Sequence, residues 1–466
     1  MNDEKSTSRQ LALAVLSGSQ LLIVLDATIV NVALTSISTD LDLDPGDLQW
    51  VLTGYLLTFG GFLLLGGRLA DRIGRRRMYV AGATGFGIGS LVAGLAESAA
   101  PLLVGRSLQG LAAAMLAPAA LSLLMTVFPP GPDRDRALAV WGGVSAAGTA
   151  IGLMLGGLLT QALSWEWVFW INVPITAAAA LAAPRLLPAG RVPPSGRFDL
   201  AGAVLVTLGL VALVFALVRF ADAGWTSITA WSAAAAALLM LTAFALLQVR
   251  RTDPLLPTTL LRNRVLVTGN ALGFIVSVAI YGLFYLLSLF LGGMLGYGPI
   301  AIGLAFLPMA LAIALGSAAA ARLLPRAGHR VLLFTSFALV TAALASLARV
   351  APDSTYAGVV LPGLLLAGLG LGVAFVALTD VAVGSTDPSD SGVAAALFNA
   401  VQQVGGAVGL AVISAVLTTA AATPTAGWSA GFVVAAAVTA AGLALIPTLR
   451  SGRVDADGSR EDRRTA

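Results

Sequence analysis

An aspartate and an arginine stand inside long apolar stretches of this sequence, where ionisable side chains are rare. Asp26 lies about fifteen residues into the first stretch, and Arg106 follows Pro101 by five residues in the fourth. A charge at the middle of a bilayer costs at least about 2.5–3.5 kcal/mol, so an intramembrane acid is usually kept for function. A carboxyl group at such a site is suited to taking up and releasing a proton. We therefore predict that Asp26 carries a proton and that Arg106, at comparable depth, tunes it.

Structural roles are the alternatives for this pair. A neutral Asp26 would hydrogen-bond Asn31 or Thr28 on its own helix. Arg106 would instead pair with Glu97 near the membrane surface, or serve packing alone. The two hypotheses differ in whether the charged groups of Asp26 and Arg106 meet.

A basic segment at positions 67–77 follows the second apolar stretch and contains five arginines and one aspartate. Arginines beside a span orient a membrane protein by lying on its cytoplasmic side. Asp71, an acid among bases, contributes nothing to orientation and so needs another role. Asp133 and Asp135, after the fourth stretch, are further candidates to pair with these arginines.

Glycines recur in the fifth stretch at Gly148, Gly152, Gly156 and Gly157. Glycines four residues apart form a groove on a helix that lets a second helix backbone approach closely. We therefore predict close helix packing along this face.

Amides and tyrosines inside apolar stretches are candidates for a substrate cavity, because lipid tolerates such groups poorly. A cavity of this kind is mostly apolar, with a few polar groups. The alternative for the aromatic residues is ordinary packing or contact with lipid. The candidates are Asn31, Tyr55, Gln109, Asn270, Tyr281, Tyr285, Asn399, Gln402 and Gln403.

The composition is that of a chain embedded in a membrane. Of its 466 residues 58% are hydrophobic and 11% charged, and the mean hydropathy is +0.91. A soluble domain has about a quarter charged residues, and a helix needs about 20 apolar residues to cross a bilayer. Fourteen stretches meet this length, at 11–35, 47–67, 78–97, 100–127, 137–160, 166–187, 199–219, 229–249, 264–291, 298–321, 330–349, 356–383, 390–419 and 427–449.

The remaining composition excludes other classes of site and partner. There is no cysteine and a single histidine, His329, which we expect to be solvent-exposed, so no metal site is predicted. No phosphate-binding glycine-lysine motif for ATP is present. The 27 basic residues cluster in alternate loops, which argues against nucleic acid and favours a bacterial cytoplasmic membrane protein with both termini in the cytoplasm.

The sequence also repeats itself. The pattern that begins Arg68-Leu69 returns at Arg322-Leu323, an offset of 254 positions, and Gly148 and Gly152 have counterparts at Gly405 and Gly409. We predict an all-α protein of two pseudo-symmetric six-helix bundles, at 1–190 and 263–450, typical of transporters with a site between repeats. Two additional helices would occupy 191–262, and a disordered cytoplasmic tail 451–466.

Several motifs resemble one family of transporters. The segment 67–77, the segment 25–34 (LDATIVNVAL) and the segment 165–174 (WEWVFWINVP) resemble signatures of the major facilitator superfamily and of its fourteen-helix drug/proton antiporters. The resemblance implies alternating access, with Leu102-x-x-x-Arg106-x-x-Gln109-Gly110 tied to proton coupling. It also implies a cytoplasmic gate, formed by Gly67, Asp71, Arg72, Gly74, Arg75 and Arg76.

Two positions depart from the family's pattern. Leu153 follows the second glycine of the fifth stretch, where the antiporter signature has proline, and Gln402 stands where relatives often have arginine. The first departure leaves open the direction of transport.

The expected function is export of small lipophilic compounds, neutral or cationic, in exchange for protons, by a protein that is not an enzyme. It would need no cofactor besides the proton, and would work as a monomer in the lipid bilayer. The alternatives are a narrow-specificity exporter or importer of a metabolite, a lipid or a self-made antibiotic, and a membrane scaffold that transports nothing.

Overall fold

The computed structural model describes residues 2–129, 131–189, 199–251, 254, 260, 262–351, 353–384, 391–420 and 426–449. Within these ranges the chain is almost entirely helical, and no strand occurs. One π-helical turn, Tyr356–Val360, precedes α12, and one 3-10 turn, Ile446–Thr448, follows α14. The helices are α1 (Asn2–Asp40), α2 (Pro45–Ile73), α3 (Arg75–Gly94), α4 (Ala99–Val127), α5 (Pro132–Ala162), α6 (Trp167–Trp170), α7 (Asn172–Leu186), α8 (Leu200–Ala223), α9 (Ile228–Arg250), α10 (Arg264–Gly293), α11 (Pro299–Leu347), α12 (Leu361–Gly384), α13 (Ser391–Thr419) and α14 (Ala426–Leu443).

Twelve of the described helices are long and apolar enough to cross a membrane. The expected count was fourteen, and the two differ at two places. The stretch predicted at 78–97 corresponds to α3, which begins with three arginines and is not among the twelve. The stretches predicted at 298–321 and 330–349 are the two arms of α11, which non-helical backbone at Gly328 separates, and the two arms count as one among the twelve. The predicted tail 451–466 lies outside the described residues.

The 49 residues of α11 form two helical arms, and the chain reverses direction between them at Gly328. A Cβ atom on Gly368 of α12 would lie 2.5 Å from the carbonyl oxygen of Met309, and one on Gly370 would lie 2.7 Å from Val340. In a straight helix, Met309 and Val340 would be about 46 Å apart. Gly328 has φ 73° and ψ 162°, a conformation that glycine adopts without steric cost. The chain therefore folds back here, and both arms of α11 pack on α12.

The glycines of α5 pack against α1. A Cβ atom on Gly152 would lie 3.0 Å from the carbonyl oxygen of Leu25, and one on Gly156 would lie 2.7 Å from that of Ile29. A Cβ atom on Gly148 would likewise lie 3.2 Å from the Cγ1 atom of Val24. The predicted close approach of two helices is therefore present along this face.

The second half repeats this packing between α13 and α10. A Cβ atom on Gly405 would lie 2.6 Å from the carbonyl oxygen of Phe274, and one on Gly409 would lie 2.7 Å from the Cα atom of Val278. The sequence repeat is thus also a repeat of helix contacts.

The two halves contact each other near the end of the bundle at which α1 ends and α2 begins, here called the α1–α2 end. Gly157 of α5 backs onto α11, where the carbonyl oxygen of Pro299 lies 2.6 Å from the position that a Cβ atom on Gly157 would take. On the neighbouring side, Ser288 of α10 donates a hydrogen bond to the carbonyl oxygen of Asn31, and Gly292 packs on Thr35. The opposite end, which carries the α2–α3 connection at Gly74, is here called the arginine end.

Helices α8 and α9 form a pair that packs on both halves, since α8 contacts α2 and α13. A Cβ atom on Gly61 of α2 would lie 2.9 Å from the Thr207 methyl group of α8. At the start of α8 the buried Asp199 accepts hydrogen bonds from the Gly202 amide at 2.8 Å and the Gln248 side chain at 2.6 Å. Arg251 adds an ion pair at 3.2 Å, which ties α9 to α8.

Candidate functional site

The Asp26 carboxylate is fully buried and accepts hydrogen bonds from three side chains. Its Oδ2 atom lies 2.6 Å from Nη1 of Arg106. Its Oδ1 atom accepts from the amide groups of Gln109 at 3.0 Å and Asn172 at 2.8 Å. Because α1 supplies the acid, α4 supplies Arg106 and Gln109, and α7 supplies Asn172, this cluster ties three helices together.

The Arg106 guanidinium is held on all sides. Its Nε atom donates to the carbonyl oxygen of Val51 at 2.8 Å, and its Nη1 atom also donates to Oε1 of Gln109 at 2.8 Å. Its central carbon lies 4.5 Å from the centre of the Tyr55 ring, a cation–π contact. The ring of Phe169 covers it from a greater distance, 5.8 Å. Helix α2 therefore shapes the site through its backbone and through Tyr55.

This arrangement fits the ionised carboxylate. An ionised carboxylate only accepts hydrogen bonds, whereas a protonated one must also donate. Both Asp26 oxygens already face donors, so a proton added to either would point an O–H group at another donor. Taking up a proton therefore requires at least one donor to leave the carboxyl group or to turn an amide oxygen toward it.

The alternative hydrogen bonds considered for this pair are absent from the described residues. Asn31 and Thr28 donate to carbonyl oxygens of their own helix. Glu97 is exposed beyond the end of α3, while Arg106 is only 1% exposed, so pairing of these two was a wrong alternative. The charged groups of Asp26 and Arg106 meet instead.

Two residues of the cluster were missed by the sequence analysis, and one was misplaced. Asn172 was seen only as part of a motif, and Ser90, which accepts from the Gln109 amide at 2.8 Å, was not considered. Gln109 was expected to line the substrate cavity, but it is fully buried against Asp26. An amide in an apolar stretch, as at Asn172, was the signal that could have identified one of them.

Among the cavity candidates of the second half, Tyr281, Gln402 and Gln403 are half-buried, whereas Asn270 and Tyr285 are buried. The Tyr281 hydroxyl donates to Oε1 of Gln403 at 3.2 Å, and Gln402 beside it is half-buried. Asn270 is buried and donates to a carbonyl oxygen of its own helix at 2.8 Å. Tyr285, by contrast, is fully buried within the bundle, where its hydroxyl bonds to Ser414, and its place in a cavity stays a prediction.

Asn399 lies on the same helix as Gln402 and Gln403, and its side chain is exposed. Its amide donates to the carbonyl oxygen of Ala395 at 2.9 Å. Its place in a cavity stays a prediction.

The basic segment turns the chain from α2 to α3 at Gly74, whose φ is 109°. Arg76 then donates to the carbonyl oxygens of Pro184 and Leu187, both at 3.2 Å, at the end of α7. These carbonyl oxygens are among the last of a helix, which have no partner within it. Arg76 thus satisfies the end of α7 in the first half.

The other gate candidates are arranged around this turn. Arg75 donates to the Thr126 hydroxyl of α4 at 2.9 Å, and Arg72 is exposed. Gly67 lies one turn of α2 before Asp71, and the side chain of Asp71 lies outside the described part of the chain, as does that of Asp135.

The second half reproduces the turn. Gly328 also has a positive φ, and Arg330 donates to the carbonyl oxygen of Pro447 at 3.4 Å. His329 between them is half-buried, with its Nε2 atom enclosed and without a hydrogen-bond partner in the described residues. The expectation that it is solvent-exposed was wrong.

Comparison with solved structures shows a shared fold. A crystal structure of a peptide transporter with bound sulfate matches 94% of this chain and 93% of its own, with a TM-score of 0.68 and 15% identity. A human organic anion transporter matches 95% of this chain and 99% of its own, with a TM-score of 0.62 and 18% identity. At such identities the likeness concerns the fold alone.

Comparison with known sequences shows the family of the chain. A puromycin resistance protein of Streptomyces alboniger is 43% identical over 405 residues, which cover 86% of this chain and 80% of the relative. A cephamycin export protein of Amycolatopsis lactamdurans is 37% identical over 417 residues, which cover 88% and 85%. The family model of the Major Facilitator Superfamily matches residues 16–410. The chain is therefore a membrane transporter that belongs to the Major Facilitator Superfamily.

Proposed function

We propose that this transporter exports lipophilic antibiotics or drugs in exchange for protons, and that Asp26 carries the proton. The observation that carries the proposal is the buried ion pair of Asp26 and Arg106, 2.6 Å apart in an apolar bundle. A buried pair of this kind is costly and is rarely kept for stability alone. The names of the relatives, which concern resistance to and export of antibiotics, support the direction of transport.

The proposed topology has fourteen crossings. Helix α3 has 20 residues, which corresponds to about 30 Å, the thickness of a bilayer core. Counting α3 and both arms of α11 adds two crossings to the twelve candidates and gives fourteen. An even number places both termini on one side, and the arginines favour the cytoplasm of a bacterium for that side. The α8–α9 pair is then the addition to two six-helix halves, and a single chain is the working unit.

The proposed cycle follows from the contacts between the halves. Those of α5 with α11 and of α1 with α10 lie near the α1–α2 end, which is therefore closed in this structure. In the proposed orientation that end faces outward. Opening it exposes Asp26 to external protons, and protonation releases at least one donor from the carboxyl group. The helices then rearrange, and the proton leaves at the arginine end.

The test uses everted membrane vesicles energised to be acidic inside, to which lipophilic dyes and antibiotics, puromycin included, are added. We expect puromycin or another compound to discharge the pH gradient through the wild-type protein and not through Asp26→Asn. Asp380→Asn is the matched control, because Asp380 is an exposed acid at the arginine end of α12. Equal discharge by wild type and Asp26→Asn would contradict the role of Asp26, and no discharge by any compound would contradict drug/proton exchange.

A narrow specificity is the second candidate. Two of the relatives are named after export of a single antibiotic, cephamycin or tetracenomycin C. In that case only one chemical family in the panel would discharge the gradient.

A further inference from the structure

The hydroxyl group of Tyr55 is enclosed in the centre of the protein and has no hydrogen-bond partner among the described residues. The side chain is 1% exposed, and its oxygen is buried. Buried polar groups in native proteins almost always have a partner, so each exception calls for an explanation. The Tyr55 ring is occupied, since Arg106 lies over its face at 4.5 Å. The packing of the ring therefore explains an aromatic residue here, but it does not explain the hydroxyl.

A second polar group of the same kind lies across the boundary between the halves. Tyr281 of α10 donates to Gln403 of α13 at 3.2 Å. Gln403 also packs on α2, because a Cβ atom on Gly60 would lie 2.8 Å from the Cβ atom of Gln403. A tyrosine hydroxyl and an amide of the second half thus lie beside α2, the helix that carries Tyr55.

The surroundings of this group are apolar and aromatic. The ring of Phe59 lies 5.7 Å from that of Tyr55, one turn further along α2. The Tyr281 ring packs directly on Gly406 of α13, 2.5 Å from where a Cβ atom would be. A few polar groups set in an apolar wall are typical of sites that orient a small ligand.

We propose that Tyr55, Tyr281 and Gln403 bind an oxygen acceptor, such as a carbonyl or ether group, on an otherwise apolar substrate. The substrate accepts from the unpartnered Tyr55 hydroxyl, and Tyr281 or Gln403 exchanges its present bond for one to the substrate. The inference rests on the proposed function and deepens it, because it names the chemistry that the site recognises.

Tyr55 also acts as a positioning residue for Arg106. Its ring touches the guanidinium that holds Asp26, so a substrate that draws the hydroxyl toward the second half shifts the ring against Arg106. Occupancy of the substrate site then reaches the Asp26 pair through a single side chain. Substrate and proton thereby become coupled without touching each other.

The test compares two probes on purified full-length protein. Puromycin carries carbonyl and ether oxygens, whereas tetraphenylphosphonium is an apolar cation with no hydrogen-bond acceptor. We expect Tyr55→Phe to weaken puromycin binding about tenfold, the effect of one hydrogen bond, and to leave tetraphenylphosphonium binding within about twofold. Tyr281→Phe should act in the same direction, and the double variant should lose less than the product of the two single losses.

The matched control is Tyr79→Phe. Tyr79 is equally buried, but its hydroxyl bonds to Ser19 at 2.5 Å. Tyr79→Phe should therefore lower the Tm without changing the preference between probes, whereas Tyr55→Phe should leave the Tm unchanged. Saturating puromycin should alter the number of protons bound to the wild type, measured in weak buffer, and should no longer do so in Tyr55→Phe.

The outcomes distinguish failure of the proposed function from failure of the proposed site. If the wild type binds neither probe and discharges no gradient, the proposed function fails. If the wild type binds both and Tyr55→Phe binds both with unchanged affinity, only the site at Tyr55 fails. A Tm of Tyr55→Phe lowered as far as that of Tyr79→Phe would also overturn the site, because the hydroxyl would then have a structural partner.

Discussion

At the scale of single residues, the main feature is a carboxylate whose two oxygen atoms are fully engaged. Asp26 is bonded by Arg106, Gln109 and Asn172. These bonds suit the ionised carboxylate, and a proton on Asp26 would require one of its neighbours to move or turn. If Asp26 carries the proton as proposed, its hydrogen bonds would link proton uptake to a change of conformation.

The ion pair should be needed more for transport than for stability. Removing one partner leaves a buried charge uncompensated, and Arg106→Met should therefore destabilise the protein by about 3–5 kcal/mol. Replacing both partners, in Asp26→Leu/Arg106→Met, should recover part of that loss, because no charge is then left uncompensated although the Gln109 and Asn172 amides lose their acceptor. The Tm of the purified variants measures the effect on stability, and gradient discharge in vesicles measures the effect on transport.

The double variant tests whether the pair serves transport or stability. A Tm above that of Arg106→Met with no discharge by any compound is the expected result. A double variant that is stable and still exchanges protons for puromycin would contradict the assigned role of the pair.

Counting residues from the span ends placed Asp26 and Arg106 at comparable depth, which made their meeting possible but left pairing of Arg106 with Glu97 open. The sequence was not sufficient to predict Asn172. A depth count fixes the height of a side chain in the membrane but not the direction in which it points around its helix. The same limit applies to Gln109, which was assigned to the cavity and in the structure donates to Asp26.

At the scale of elements, the position of Asp26 depends on how closely α5 approaches α1. The glycines of α5 let the two backbones pack almost in contact, with Gly156 facing the carbonyl oxygen of Ile29. Ile29 lies less than one turn from Asp26 on α1. Any side chain at Gly156 therefore acts on the height and rotation of the acid.

A single methyl group should be enough to test this. Gly156→Ala would place Cβ 2.7 Å from the Ile29 oxygen, and we expect a loss of about 1–3 kcal/mol in stability from overpacking together with reduced transport. Gly142→Ala on the same helix is the control, because nothing lies within 4 Å of its added Cβ. Alanine favours helix over glycine, so the control should keep or raise the Tm.

The boundaries of the elements could be predicted well where turn residues mark them, and less well elsewhere. Gly328 and the arginines around it were assigned to a break between two spans, and the structure has non-helical backbone and a reversal of the chain at that glycine. Helix α3 is the less certain case, since the arginines of its first turn mask its apolar character.

At the scale of the whole molecule, the halves are joined near the α1–α2 end and must separate there if substrate is to leave by that side. Thr35 of α1 and Gly292 of α10 face each other at this end. A Cβ atom on Gly292 would lie 3.2 Å from the Thr35 Cβ atom. This is close to the Cβ separation of about 3.5–4.5 Å found in disulfides.

The chain contains no cysteine, so an engineered disulfide can be studied without a background. Thr35→Cys/Gly292→Cys should cross-link under oxidation and stop gradient discharge, and dithiothreitol should restore it. Thr35→Cys alone is the control and should respond to neither treatment. Full activity of the cross-linked protein would show that this end need not open.

Contacts at this scale were the least predictable from sequence. The repeat indicated two halves, but it could not tell which helices of one half meet which helices of the other. Nor could it place the α8–α9 pair, since Thr207 and Gly61 carry no mark of their contact. Such pairings depend on the shapes of assembled surfaces, which one sequence alone does not encode in any local pattern.

Because the α8–α9 pair lies on one flank only, the two flanks of the transporter present different surfaces to the lipid. The pair covers the boundary between α2 and α13, whereas the boundary between α5 and α11 is bordered by exposed apolar side chains such as Met154, Leu158, Leu311 and Leu315. A compound that diffuses within the lipid therefore meets different helices on the two flanks. If compounds reach the proposed site from the lipid along the α5–α11 flank, bulky substitutions there should slow export of membrane-dissolved compounds more than that of water-soluble ones.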